Sequence, residues 1–314
     1  MTFTPLKAEQ IVNAALGLLT QELVATDMFW KQNAADFTGA KDDTVTLRLP
    51  AYGVAQSRVM RSGTPVTFGD LAERAVDIKL DTQLYHATAI TDEALTLDIR
   101  SFGQQILTPQ ADAVARALEA KAITTMTGAT YQTTLEFDAA EPLKFLRDAR
   151  TALNKANVPM SERFVALGAD LENALITKLS ADASVTGTAH SAALREATIG
   201  RLYGFTIVSV PGLPVDNAYC FHRSAYAMAT RVPARPSGAK MVASTSSNGV
   251  ALRWLMDYSD ALLTDRSLVD TYCGTAVVTD NGTIDADGRF TPSVDPSNPA
   301  NDRFIRAIKV VDAV

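Results

Sequence analysis

Two cysteines and one histidine are the residues of this 314-residue chain best suited to chemistry. Cys220 and His222 stand two apart in the strand-like run "NAYCFHRSAYAMATRV", so both would project from one face. Cys273, in a second apolar run, would complete a set of three soft metal ligands. Yet the spacing matches no zinc motif, and the whole chain holds three histidines and two cysteines. Buried structural thiols beside an incidental imidazole are the better reading.

The other candidates fare no better. "DNGTIDADGRF" (residues 280–290) places carboxylates at short spacing, faintly like a calcium loop, but lacks the Asp-x-Asp-x-Asp-Gly order and the closing Glu. "DADG" between "TI" and "RFT" reads instead as a hairpin turn with Gly288 at positive φ. Arg231, Arg235 and Lys240 make a basic loop, which is a solvated segment or an anion site. There is no G-x-S-x-G elbow, P-loop or G-x-G-x-x-G, and no carboxylate pair stands in an apolar setting as an acid–base couple. The reading is of a non-enzyme without metal or cofactor.

What the chain offers in place of chemistry is a strut. "TPQADAVARALEAKAITTM" predicts a helix over 108–126, about 28 Å long. Thr108 suits its N-cap and Pro109 its first helical position. Asp112 stands four residues before Arg116, a favourable pairing order. Ala111, Val114, Ala115, Leu118, Ala122 and Met126 form one stripe. Ala113, Ala117 and Ala120 lie opposite and Ile123 falls outside it. Small side chains nearly all round let other backbone approach, as in a strut held between layers.

The flanking elements follow from periodicity. Residues 5–24 read as an amphipathic helix capped by Thr4 and started by Pro5, with Ile11, Ala15, Leu18, Leu19 and Leu23 on one face. The next segment, to residue 43, loses periodicity and reads as an arm leaving the globule. Residues 44–91 alternate at period two through Val45, Leu47, Leu49, Val76, Ile78 and Leu80, which predicts a long two-stranded excursion with a wide tip. Such a hairpin is marginal alone, so it either lies on something, a neighbouring subunit being the obvious candidate, or is an ordinary solvated hairpin. Arg58 and Arg61 make its tip basic, while Asp70, Glu73, Asp77 and Asp81 follow on the return, a charge split suited to head-to-tail contact. Residues 141–230 alternate helix and strand as an α/β domain. A loop rich in Pro, Ser and Gly follows, then strand-rich sequence, an acidic turn-rich stretch over 280–303 and a final apolar strand.

Composition sets the outer bounds. With 47% hydrophobic residues the chain can bury a sizeable core, and its 20% charged residues are fewer than the usual quarter, as in proteins that hide surface in an oligomer. A net charge of −6 argues against gripping nucleic acid through a basic face. Two cysteines fit a reducing compartment. No signal peptide or run of about 18 apolar residues is present, so no membrane partner is expected.

The order of parts resembles a known family. An N-terminal helical arm and an extended hairpin precede "VDIKLDTQLYHATAITDEALTLDIRSFGQQILTPQADAVARALEAKA", which runs strand to connector to strut. "AYCFHRSAYAMATR" then closes an α/β domain. In this sequence the chain is similar to the major capsid proteins of tailed bacteriophages, the Hong Kong 97-type α+β fold, and within them to the coat proteins of certain short-tailed phages. That resemblance implies an N-arm over 1–43, an E-loop over 44–84, a P-domain over 85–140 with spine helix 108–126, an A-domain over 141–232, and a return to the P-domain over 233–314. It implies self-assembly through pentamers and hexamers into an icosahedral virion shell around double-stranded DNA, assembled in the host bacterial cytoplasm, with a portal protein. Arg58, Arg61, Asp70 and Glu73 become candidate inter-subunit contacts.

Two features depart from the family pattern. The run over 202–250 is too short for the domain inserted in some coat proteins, and the acidic stretch at 280–303 has no counterpart. The arm begins at once, which favours a separate scaffolding protein. The rivals are an encapsulin-like cargo compartment of the same fold and a soluble α/β enzyme or metal protein using Cys220, His222 and Cys273.

Overall fold

Why a helix so poor in function should sit mid-chain is answered by what it touches. In the computed structural model, which describes residues 8–32, 44–49, 57–61, 63, 65, 74–91, 103–186, 200–238, 241–247, 249–259, 264–293 and 298–312, the strut is α2, Thr108–Gly128. Every residue of the expected stripe, Ala111, Val114, Ala115, Leu118, Ala122 and Met126, is buried. Its start differs from expectation. A π-helical turn, Gly103–Leu107, runs directly into it, so Leu107 has helical φ and ψ and no side chain caps the end. Thr108 lies inside the helix. Arg116 bonds the Asp112 carbonyl oxygen through Nε at 3.3 Å and not the carboxylate.

α2 packs against a sheet of six strands in the order β1 (Trp30–Gln32), β10 (Tyr226–Arg231), β13 (Thr264–Val277), β12 (Val250–Ser259) and β11 (Met241–Ser247), with β4 (Thr82–Thr91) along the other side of β13. β13 is the keel. Along one side it pairs β4 from Thr264 to Cys273, and along the other it pairs β12 as far as Asp270 and β10 from Tyr272. Gln110 fixes the strut on this sheet, since its amide donates to the Ser267 carbonyl at 2.9 Å and accepts from Ser267 Oγ at 2.9 Å. Trp254 Nε1 donates to the same Oγ at 3.0 Å.

α1, Ala8–Glu22, packs on α2, β11 and β12. It buries Val12, Ala15, Leu16 and Leu19, and Leu23 just past its end is buried too. Ile11 is only partly buried, so the apolar face is turned slightly from the predicted one; Thr4 and Pro5 lie outside the described residues. The segment expected to leave the globule does not do so at its start. Thr26–Met28 forms a 3-10 turn, Phe29 stacks on Tyr226 with centroids 4.9 Å apart, and β1 pairs with β10 in parallel. Residues 33–43 lie outside the described set.

A second sheet has the order β5 (Thr134–Phe137), β17 (Ala307–Asp312), β9 (Asn217–His222), β6 (Arg163–Leu167), β8 (Phe205–Ser209) and β7 (Arg201–Leu202). Alternation along its strands separates two cores. Val165, Leu167, Ala218, Cys220, Ile308 and Val310 face α3 (Lys144–Lys155) and α4 (Ala169–Thr186). Ala166, Tyr219, Phe221 and Ala307 face the strut's core. The strut is thus enclosed between layers, as its small side chains require. α3 buries Phe145, Leu146, Ala149 and Leu153, and Leu143 just ahead of it packs partly buried on the same core.

The run "NAYCFHRSAYAMATRV" divides between the sheets. A 3-10 turn, Arg223–Ala225, breaks it into β9 in the second sheet and β10 in the first. "MVASTSS", expected as loop, is strand β11, paired with β12 throughout. The acidic stretch builds its own small sheet of β15 (Phe290–Pro292), β14 (Asp280–Ile284) and β16 (Asp302–Arg303). Its β14–β15 turn has Gly288 at φ 78°, as the sequence predicts.

Candidate assembly surfaces

The hairpin that should reach a neighbour has its root in this chain. β2 (Thr44–Leu49) pairs with β3 (Arg74–Lys79), and Val45, Leu47 and Ile78 are buried against Ala227, Ala229 and Val278. So the root rests on its own β10, a correction to the expectation that the whole hairpin needs a neighbour. β4 then leaves the hairpin and joins the large sheet. Two return carboxylates are also engaged within the chain. Asp77 accepts from Thr46 Oγ1 at 2.8 Å. Asp81 accepts from Thr82 Oγ1 at 2.7 Å and from the strut's Lys121 at 3.0 Å, which together hold its carboxyl below the usual range. Asp70 and Glu73 lie outside the described residues.

The tip is different. Arg58 and Arg61 are exposed, and between them Val59 and Met60 are 77% and 91% exposed. Arg61 has φ 63°, left-handed backbone that a non-glycine residue adopts only where the turn demands it.

Sequence reasoning missed a residue that fixes the other extension. Glu119, on the strut, accepts from the backbone N–H groups of Val24 (2.9 Å), Ala25 (2.7 Å) and Thr26 (3.1 Å) and from Thr26 Oγ1 (2.8 Å). The 3-10 turn there has no cap of its own, so a carboxylate some 95 positions away satisfies its orphan donors. The only sequence signal was a Glu beside a buried stripe. Glu119→Ala is expected to cost about 1–3 kcal/mol and to expose 24–29 first. Hydrogen exchange should show faster exchange there with 107–118 little changed; uniform acceleration would contradict the local role.

The structure does not bring the candidate metal ligands together. Cys220 is buried in the core under α3 and α4, while Cys273 is buried in the strut's core. His222 Nδ1 accepts from the Ser224 N–H at 3.2 Å and lies 2.8 Å from Ser224 Oγ. Burial, then the charge of Arg306, pushes its pKa down. Arg306 grips Asp280 through two bonds of 2.6 and 2.5 Å, so the small acidic sheet is tied to the turn between the two large sheets. Arg231 and Arg235 are exposed, and Lys240 lies outside the described residues.

Burial drives the thiol of Cys220 far up and that of Cys273 up to about 12. Neither forms the reactive thiolate near neutral pH. Iodoacetamide at neutral pH is expected to label neither in folded protein and both after denaturation. Rapid labelling of the native protein would contradict the burial.

The described parts are a keel sheet, an enclosed strut, a second sheet with its own helices and a hairpin rooted on β10. The same arrangement is found in solved structures of phages and a virus-like particle. Mycobacterium phage Che8 superposes with a TM-score of 0.57 at 18% identity, covering 92% of this chain and 90% of that one. The capsid of Cyanophage P-SCSP1u gives 0.59 at 13%, covering 93% and 88%. The virus-like particle from Pyrococcus furiosus gives 0.51 at 10%, covering 96% and 97%. The fold is the Hong Kong 97-type capsid fold. No curated protein matches the chain. Residues 73–278 match the model of the phage capsid protein family, so this chain belongs to that family. It is a shell-forming major capsid protein, and the family's role is structural.

Proposed function

We propose that the chain builds the icosahedral head of a tailed, short-tailed phage and encloses its double-stranded DNA. The observation that carries this is the family match over 73–278, a span that takes in the hairpin's return strand, the strut, the α/β layer and the keel sheet. In this reading 1–43 is the N-arm, 44–84 the E-loop, 85–140 the P-domain, 141–232 the A-domain, and 233–314 the return. The A-domains meet around five- and six-fold axes, while E-loops overlap neighbours through Arg58, Arg61, Asp70 and Glu73. Each contact can be weak, because every subunit is held by several neighbours and a closed shell has no free edge. A net charge of −6 lets DNA stay condensed without adhering to the wall. A portal and a scaffolding protein are the partners, and assembly takes place in the host bacterial cytoplasm. Among the described residues no helix is long and apolar enough to cross a membrane.

A second reading, a compartment for protein cargo, uses the same fold, which the chain shares with the Pyrococcus furiosus virus-like particle. The contents decide between them. Particles made with the neighbouring genes are expected to protect double-stranded DNA from nuclease. Shells filled with one folded protein and no protected DNA would transfer the assignment to the cargo compartment.

A further inference from the structure

The acidic sheet that the family pattern leaves unexplained covers one side of a groove. A cavity of about 380 Å³ runs between α3 and the β14–β15 turn, within the range of about 300–1,000 Å³ typical of pockets that take a small ligand. Ile284, Phe290 and Ile308 make its floor apolar, and Asp148, Thr151 and Lys155 stand on its α3 side. Asp148 and Lys155 balance within the lining. The β14–β15 turn, whose Gly288 also lines the cavity, carries exposed Asp285 and Asp287 against one cation, Arg289, and Asp285 Oδ1 accepts from the Arg289 N–H at 2.7 Å. The sheet is held in place: Asn157 Nδ2 donates to the Phe290 carbonyl at 3.3 Å, and Arg306 grips Asp280.

The hairpin tip has the complementary composition. Val59 and Met60 are exposed side by side, flanked by Arg58 and Arg61. Two adjacent large apolar side chains at a loop tip lose contact with water only if something covers them. Methionine adapts well to an irregular apolar slot. The flanking guanidiniums would meet the rim carboxylates, which sets orientation more than affinity.

We propose that this groove receives the Val59–Met60 tip of a neighbouring copy, with Arg58 and Arg61 against Asp148, Asp285 and Asp287. The small acidic sheet is then a receptor for the hairpin. The proposal rests on the reading of 44–84 as an E-loop that overlaps a neighbour, and it adds the place where the tip lands.

The test is a designed disulfide between copies. Both native thiols are buried, so Met60→Cys with Thr151→Cys can be oxidised selectively. Shells of the double variant are expected to give a ladder of covalent oligomers, and either single variant none beyond background. Intact shells without a ladder would overturn the docking and leave the shell-forming role standing. Unmodified protein that forms no shells under any condition would overturn that role first. Should the double variant itself fail to assemble, charge reversal decides. Arg58→Glu with Arg61→Glu is expected to lower shell yield about tenfold or more, because each weak contact recurs across the lattice, while the monomer's circular dichroism stays unchanged. Adding Asp148→Arg and Asp287→Arg should restore most of the yield. A loss that these reversals do not rescue would place the tip elsewhere.

Discussion

Asp270→Ala is expected to destabilise the unassembled protein by about 3–5 kcal/mol, a fall in Tm of about 5–8 °C for a chain of this size. Asp270 lies where β13 changes partners, pairing Arg253 of β12 just before β10 takes over from Tyr272. Its side chain is fully buried and that of Arg253 is 8% exposed. The guanidinium donates from Nε to Oδ1 at 2.8 Å and from Nη2 to Oδ2 at 2.5 Å, and its third nitrogen bonds the Ala234 carbonyl. Gln83 of β4 donates to Oδ2 at 2.8 Å. One carboxylate therefore joins three strands and, through Arg253, the loop after β10. Removing it leaves a cation buried without its anion, the costly way to break such a pair. Replacing both members, Arg253→Met with Asp270→Leu, should recover much of the loss. Thermal melting of the two variants checks this, and an Asp270→Ala protein within about 1 kcal/mol of the parent would show the site to be wetter than its burial indicates.

Gly274→Val should also destabilise, against the propensity argument. A glycine inside a strand is weaker than a β-branched residue, so on local preference alone valine would strengthen β13. A Cβ at position 274 would lie 2.2 Å from the Lys79 carbonyl oxygen and 2.8 Å from its carbon. Those are backbone atoms at the corner where β3 ends and the chain turns into β4. The hairpin's root crosses the keel in contact, and glycine is the residue that permits it. Overpacking there costs about 1–3 kcal/mol, and it would push the hairpin's root away from the keel. Limited proteolysis is expected to cut the variant within 44–79 faster than the parent, and shell yield is expected to fall. A more stable variant that assembles normally would contradict the close crossing.

The strut was legible because its signal is periodic and its surroundings are uniform. All six stripe residues are buried, since a helix between two layers needs small apolar residues at that spacing whatever the layers are. The turn at Gly288 was legible for a similar reason, as positive φ selects the residue. The split of "NAYCFHRSAYAMATRV" was not. β9 and β10 are apolar on both faces, and nothing in an apolar run states which sheet it joins. Tyr226 marks the crossing only through its place in space, with its hydroxyl 2.6 Å from that of Tyr131 and its ring edge-on to Phe221 and Phe304. β11 was missed because "MVASTSS" is short on large apolar residues, and its partner β12 supplies the pairing. Glu119 was missed because capping across about 95 positions leaves no local pattern. At the hairpin, alternation found the strands, while the division between a root on this chain and a free tip depended on tertiary contacts.

Electron microscopy of the purified protein, expressed alone and with its neighbouring genes, tests the central claim most directly. The structure predicts closed hollow shells of uniform curvature, in at least one of the two conditions. A discrete monomer or dimer in both, from protein that melts cooperatively, would contradict a shell-forming subunit.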